Sequence, residues 1–110
     1  MRPADAIVVL TTAGSEDEAA RLGAALVGER LAACVNVVGP IRSIYRWQGA
    51  VEDAKEWLLV VKARAADLSA LEARIRALHS YEVPEVLALP VYGGAATYLA
   101  WLDEATRRDG

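Results

Sequence analysis

Residues 33–64 read ACVNVVGPIRSIYRWQGAVEDAKEWLLVVKAR, and this stretch decides the fold. Ala32 to Val38 is short and rich in β-branched residues, the composition of a strand. Gly39-Pro40 interrupts it. Proline has no N–H to give a ladder, so a bulge or an edge is expected there. Extended chain resumes at Ile41, with Ile41, Ser43, Tyr45 and Trp47 on one face and Arg42, Ile44 and Arg46 on the other. Gln48-Gly49 reads as a tight turn, with glycine able to take φ > 0. Ala50 to Lys55 then runs back into Glu56 to Lys62. The stretch is therefore a hairpin of unusual length. A lone two-stranded ribbon is marginal in water, so its tip is expected to lie on a partner chain.

Working outward, Ala6 to Thr12 is a short β-branched run that reads as a buried strand. Ala13-Gly14 breaks it, and Ser15 to Glu18 has the capping-box form that opens a helix. Ala19, Leu22 and Leu26 put one apolar stripe on that helix. On the other side of the hairpin, Asp67 is placed to cap a second helix. Leu68, Leu71, Ile75 and Leu78 form its inner face, and Glu72 and Arg76 make an outer i,i+4 pair. His79-Ser80-Tyr81 ends it, and Val83-Pro84 forces extended chain. Glu85 to Val91 reads as a strand of the buried type. Thr97 to Arg108 reads as a terminal helix with Tyr98, Trp101, Leu102 and Ala105 turned inward. Trp47, Trp57 and Trp101 read as core or interface anchors. The order is βαββαβ plus a C-terminal helix. This is an α/β (α+β) class chain with a ferredoxin-like four-stranded antiparallel sheet, both helices on one face, and one domain over residues 1–110.

Composition narrows the function. The chain has 110 residues, a net charge of −3 and 55% hydrophobic residues. That apolar share is high for so small a domain and points to burial against other copies. No basic stripe exists, which argues against nucleic acid as a partner. The run Ile7 to Leu10 is too short for a signal core or a membrane span, so the expectation is a soluble cytoplasmic protein. No Gly-x-Ser-x-Gly, Walker or Gly-x-Gly-x-x-Gly motif is present, and the chain reads as a binding protein without an organic cofactor rather than an enzyme.

Five stretches, in order along the chain, resemble the CutA (divalent-cation tolerance) family. They are Val9 to Ala13, Glu29 to Asn36, Ser43 to Gly49, His79 to Glu85 and Tyr98 to Leu102. The resemblance implies a ferredoxin-like fold similar to that of the nitrogen-regulatory P-II proteins. It also implies a homotrimer in which hairpin strands pair between subunits, and tolerance to divalent cations, copper above all. Two positions depart from the family pattern. Thr11 stands where some members carry a second cysteine, which weakens a copper reading. Ser80 stands where proline is usual, and it is expected to loosen the turn after His79, because serine leaves φ free.

Cys34 and His79 are the single cysteine and the single histidine. Thiolate and imidazole together suit copper or another divalent metal, and they are the candidate metal ligands. Against that, Cys34 also reads as a small hydrophobe on a buried strand, and His79 as a cation suited to a helix C-terminus. Lys62, Tyr81 and Glu85 belong to the stretches that carry the resemblance. With Trp47 and His79 they are the candidate lining of a polar cleft for an anion or other small ligand. The alternative is a buried Lys–Glu pair that fixes a trimer interface.

Overall fold

Two ribbon strands of alternating residues build most of the sheet. The structure, a computed structural model, describes residues 1–108; the last two positions of the expected 1–110 domain lie outside the described residues. The elements run β1 (Ala6–Ala13), α1 (Glu16–Gly28), β2 (Cys34–Trp47), β3 (Ala50–Arg64), α2 (Leu68–Leu78), β4 (Leu87–Pro90) and α3 (Ala96–Ala105). The four strands are antiparallel in the order β2-β3-β1-β4, which is the ferredoxin-like arrangement. None of the described helices is long and apolar enough to cross a membrane.

Strand alternation sends odd-numbered residues of β1 and β3 to the helices. Ile7, Val9, Ala13, Leu59, Val61 and Ala63 pack there against Leu22 and Leu26 of α1 and Leu71 and Ile75 of α2. Each fully buried Leu or Ile contributes about 1.5–3 kcal/mol. Even-numbered residues form the opposite face, where α3 sets Leu99 and Leu102 on Ala6 and Ala33 and covers one end only. Two rows remain beyond it: Asn36, Val60, Leu10 and Leu87, and Cys34, Lys62, Val8 and Leu89.

The expected bulge is present. Val38 pairs with Leu58 and Ile41 with Glu56, so β2 spends one more residue than β3 across Gly39-Pro40. An extra residue moves every later side chain to the other face. Val35 points to the helices, whereas Ile41, Ser43, Tyr45 and Trp47 share the open face with Glu56. Gly39 is required at the bulge, because a Cβ there would sit 2.4 Å from Trp57 Cδ1. At the hairpin tip both Gln48 (φ 48°) and Gly49 (φ 82°) are left-handed, as a two-residue primed turn demands.

Several local expectations are corrected. The capping box is half formed: Ser15 Oγ accepts from Glu18 N–H at 3.1 Å, but the Glu18 carboxylate turns away to Ser80. Asp67 does not cap α2 with its side chain, because both its oxygens accept from Arg108. Arg74, not Arg76, finds an acid, pairing with Glu29 across to α1. The strand read as buried is an exposed edge, with Leu87 58% and Leu89 48% open. On α3 the inward residues are Leu99, Leu102 and Thr106, one turn apart, which swings Tyr98 and Trp101 outward. Trp47 is likewise exposed, and of the three tryptophans Trp57 is the one packed against the core.

Thr11 is fully buried, and its hydroxyl has no hydrogen-bond partner among the described residues. An unmet buried hydroxyl costs roughly 1–3 kcal/mol, and a methyl of the same shape removes that cost. Thr11→Val is therefore expected to raise the unfolding free energy by about 1 kcal/mol, read as a later thermal midpoint at equal protein concentration.

Candidate functional site

The bulge creates the site. By turning Tyr45 and Trp47 onto the open face beside Glu56, it shapes a cleft of about 640 Å³ between the outer hairpin and the segment after α2. Ile41, Ile44, Leu58 and Val83 give it apolar walls, and Glu56, Glu82 and Glu85 give it charge. No Lys, Arg or His lines it.

Glu56 is the center of this arrangement. It lies on β3 in phase with the half-buried Leu58 and Val60, yet is itself only 6% exposed. One carboxylate oxygen accepts the Tyr81 hydroxyl at 2.8 Å. Among the described residues it makes no ion pair. Buried charges are ordinarily paired, since an uncompensated one costs several kcal/mol. Its charge acts on its neighbors. Burial, then the bond to Glu56, pushes the Tyr81 hydroxyl well above its ordinary value, so it stays a donor. The Glu85 carboxyl is also raised, first by partial burial and then by the charge of Glu56.

Tyr81 is held in place by His79. His79 Nδ1 accepts the Tyr81 backbone N–H at 3.0 Å, and Nε2 faces the Thr12 carbonyl oxygen at 2.6 Å. This pattern assigns the proton to Nε2 and leaves neither nitrogen free. The two rings pack with centroids 4.6 Å apart. Ser80 does not loosen this turn, contrary to expectation. Its N–H (2.8 Å) and hydroxyl (3.0 Å) both donate to the Glu18 carboxylate, two bonds that proline could not make.

Of the expected cleft residues, His79 is absent from the lining, whereas Trp47, Tyr81 and Glu85 do line it. Lys62 does not. It lies six residues along β3 from Glu56, about 20 Å at the usual strand rise, and its ammonium bonds Asn36 Oδ1. The expected Lys–Glu pair is therefore absent within the chain, and a cleft without Lys62 has no cation to attract an anion. Cys34 pairs across the ribbon with Lys62, its thiol 3.8 Å from Asn36 Oδ1. His79 meets Thr12, whose partner on β3 is Leu58. Four residues of β3 separate the two positions, about 13 Å, so one chain does not bring Cys34 and His79 together. The described residues hold no cluster of three or more His, Cys, Asp or Glu able to grip a metal ion. Two residues that matter were not singled out from sequence. Glu56 carried a signal, an acid at an apolar phase of a strand. Glu18 carried none beyond its cap position.

Comparison with known proteins follows this geometry. The family described as CutA1 divalent ion tolerance protein matches residues 7–105. The divalent-cation tolerance protein CutA of Thermus thermophilus is 52% identical over 99 residues, 90% of this chain and 96% of that protein. Protein CutA 1, chloroplastic, of Oryza sativa is 46% identical over 101 residues, 92% of this chain. The chain spans 57% of the length of that rice protein. The crystal structure of CutA1 from Oryza sativa has a TM-score of 0.92 at 44% identity, covering 96% of each chain.

Proposed function

The chain belongs to the CutA1 divalent ion tolerance family, and from that premise we propose that three copies assemble through the open sheet face and bind cations in the Glu56 cleft. The observation that carries the cleft is a nearly buried carboxylate with no cationic partner among the described residues. A cation entering the cleft supplies the missing charge. The family name points to divalent ions, and the fit of the residues decides which kind. Soft ions such as copper favor thiolate and imidazole. Here Cys34 and His79 are apart within one chain and both nitrogens of His79 are engaged, so the single chain does not fit copper at those donors. Carboxylates suit a hard ion that keeps several waters, with Glu56 and Glu85 as the residues that would meet it. The proposed activity is binding rather than turnover, and the free thiol of Cys34 suits the reducing cytoplasm as its compartment.

Support for the assembly is the open face itself, where Val8, Leu10, Val60, Leu87 and Leu89 share two rows. Contiguous apolar surface of this kind marks an interface.

Calorimetric titration with Mn²⁺ tests the cleft. Glu56→Gln keeps the shape and the acceptor for Tyr81 but removes the charge. It is expected to weaken Mn²⁺ binding about tenfold or more, while Cys34→Ala leaves it unchanged. Loss of binding in Cys34→Ala with full binding in Glu56→Gln would overturn the assignment.

A further inference from the structure

The C-terminal helix is fastened at one end only. Among the described residues, the hydrogen bonds and ion pairs that join α3 and the residues after it to the rest of the chain all lie in or past its last turn. Two arginines make most of them. Arg64, the last residue of β3, donates Nε to the Thr106 hydroxyl at 2.8 Å and Nη2 to the Asp103 carbonyl at 2.6 Å, and it pairs with the Asp103 carboxylate. Arg108, just past α3, donates to the two Asp67 carboxylate oxygens at 2.7 and 3.0 Å and to the Arg30 carbonyl at 2.8 Å. Arg30 follows α1 and Asp67 precedes α2. Arg108 therefore reaches around the end of the sheet, from the α3 side to the side of the other two helices.

The other end has no such fastening. Ala95 gives α3 no side-chain cap, and Val91 to Ala95, with Gly93-Gly94 among them, is neither helix nor strand. Between the two ends the apolar seat is narrow, for Leu99 and Leu102 rest on two alanines, Ala6 and Ala33. The helix has 10 residues. Isolated helices shorter than about 12–15 residues are marginal in water, so α3 stays helical only while it is docked.

We propose that α3 is a strap, hinged at Gly93-Gly94 and clasped by Arg64 and Arg108, and that its closure controls assembly of the copies. The clasp is ionic, and the Arg108 side chain is 43% exposed, so salt weakens it. The sheet is held by an apolar core that salt does not loosen. The strap therefore opens as a unit of its own, before the sheet does. The coupling to assembly rests on the reading of the open face given above. α3 lies on that face and covers one end of it. Opening lifts Leu99 and Leu102 from Ala6 and Ala33 and leaves an unfolded segment where the next copy must pack. Asp67 and Arg108 thus act on the interface through α3.

The test is hydrogen–deuterium exchange of the intact protein, with light scattering for mass, on the parent, Asp67→Asn, Arg108→Ala and Arg74→Ala. Arg74 pairs with Glu29 and is the control, since it bonds nothing in α3. Amides 96–106 are expected to exchange at least tenfold faster in Asp67→Asn and Arg108→Ala, with β1 and β3 unchanged. The parent should show the same change between about 0.1 M and 1 M salt, and Arg74→Ala should match the parent. Both clasp variants should also need at least tenfold more protein to keep the mass of three chains. If Asp67→Asn does not fold, the half-exposed Arg108→Ala is read alone. Full protection of α3 in both variants, or α3 and β3 exchanging at one common rate, overturns the strap. An opened α3 with the mass of three chains kept at every concentration overturns its control of assembly. A parent with the mass of one chain overturns the assembly reading, and with it that control, while the exchange of α3 still decides the clasp.

Discussion

For the trimer proposed above, Leu10→Asp is expected to leave single chains of 11.8 kDa, one third of the mass of three copies. Leu10 sits mid-row on the open face, between Val60 of β3 and Leu87 of β4. It is half-buried in the single chain, and α3 does not reach it. A carboxylate there is tolerable while water covers the face. Assembly would strip that water from an aspartate in every copy, at a cost of several kcal/mol per ion. Light scattering coupled to size-exclusion chromatography reads the mass, and circular dichroism confirms that the sheet persists. A variant that keeps the mass of three chains would show that another surface joins the copies, and a parent with the mass of one chain would overturn the proposed trimer.

Glu18→Ala carries the second large effect. The Glu18 carboxylate reaches from α1 to accept both Ser80 donors, with His79 Nδ1 3.7 Å away. Hydrogen bonds to a charged acceptor are worth about 1.5–3 kcal/mol each, and water recovers part of the loss. The expected cost is roughly 2–4 kcal/mol, or a midpoint roughly 10–20 °C lower. The pH dependence follows from the carboxyl, which is held below its ordinary 4.5. Burial alone would raise it, but the two Ser80 bonds and the Gly14 backbone N–H outweigh burial. A carboxyl depressed in the folded state stabilizes fully above its ordinary value and loses that stabilization as pH falls through its folded value. The gap between parent and variant is therefore constant near neutrality and narrows only once pH falls below the ordinary carboxyl value of 4.5 and through the lower folded one. Melting both proteins at one concentration from pH 7 to pH 3 checks this. A gap that ignores pH would mean the carboxylate charge is not what holds Ser80.

How much was legible depends on whether a signal was local. The hairpin, the turn at Gln48-Gly49 and the bulge at Gly39-Pro40 are written in neighboring residues, and all three appear where the residues put them. The stripe of α1 is equally local, and Ala19, Leu22 and Leu26 are buried. What the bulge does was not legible. Alternation alone groups Ile41, Ser43, Tyr45 and Trp47 on one face, but it cannot say that the extra residue carries that face around to Glu56. Lys62 stands away from the single chain's cleft for a related reason: likeness to a family stretch does not measure distance along a strand. Ser80 was judged on its backbone freedom, yet its partner Glu18 lies 62 positions away. His79 shows both halves. Its place at the end of α2 was plain, while the Thr12 carbonyl that occupies its ring is 67 positions distant. β4 read as buried because Val86, Leu87 and Leu89 are apolar, and composition does not distinguish burial within a chain from burial between chains.

The most direct test of the cleft is a crystal of the assembled protein soaked in Mn²⁺, with an anomalous difference map that locates the ion. The expected result is a peak in the cleft against the Glu56 carboxylate, absent from Glu56→Gln crystals. A peak at Cys34 or His79, with nothing at Glu56, would contradict it.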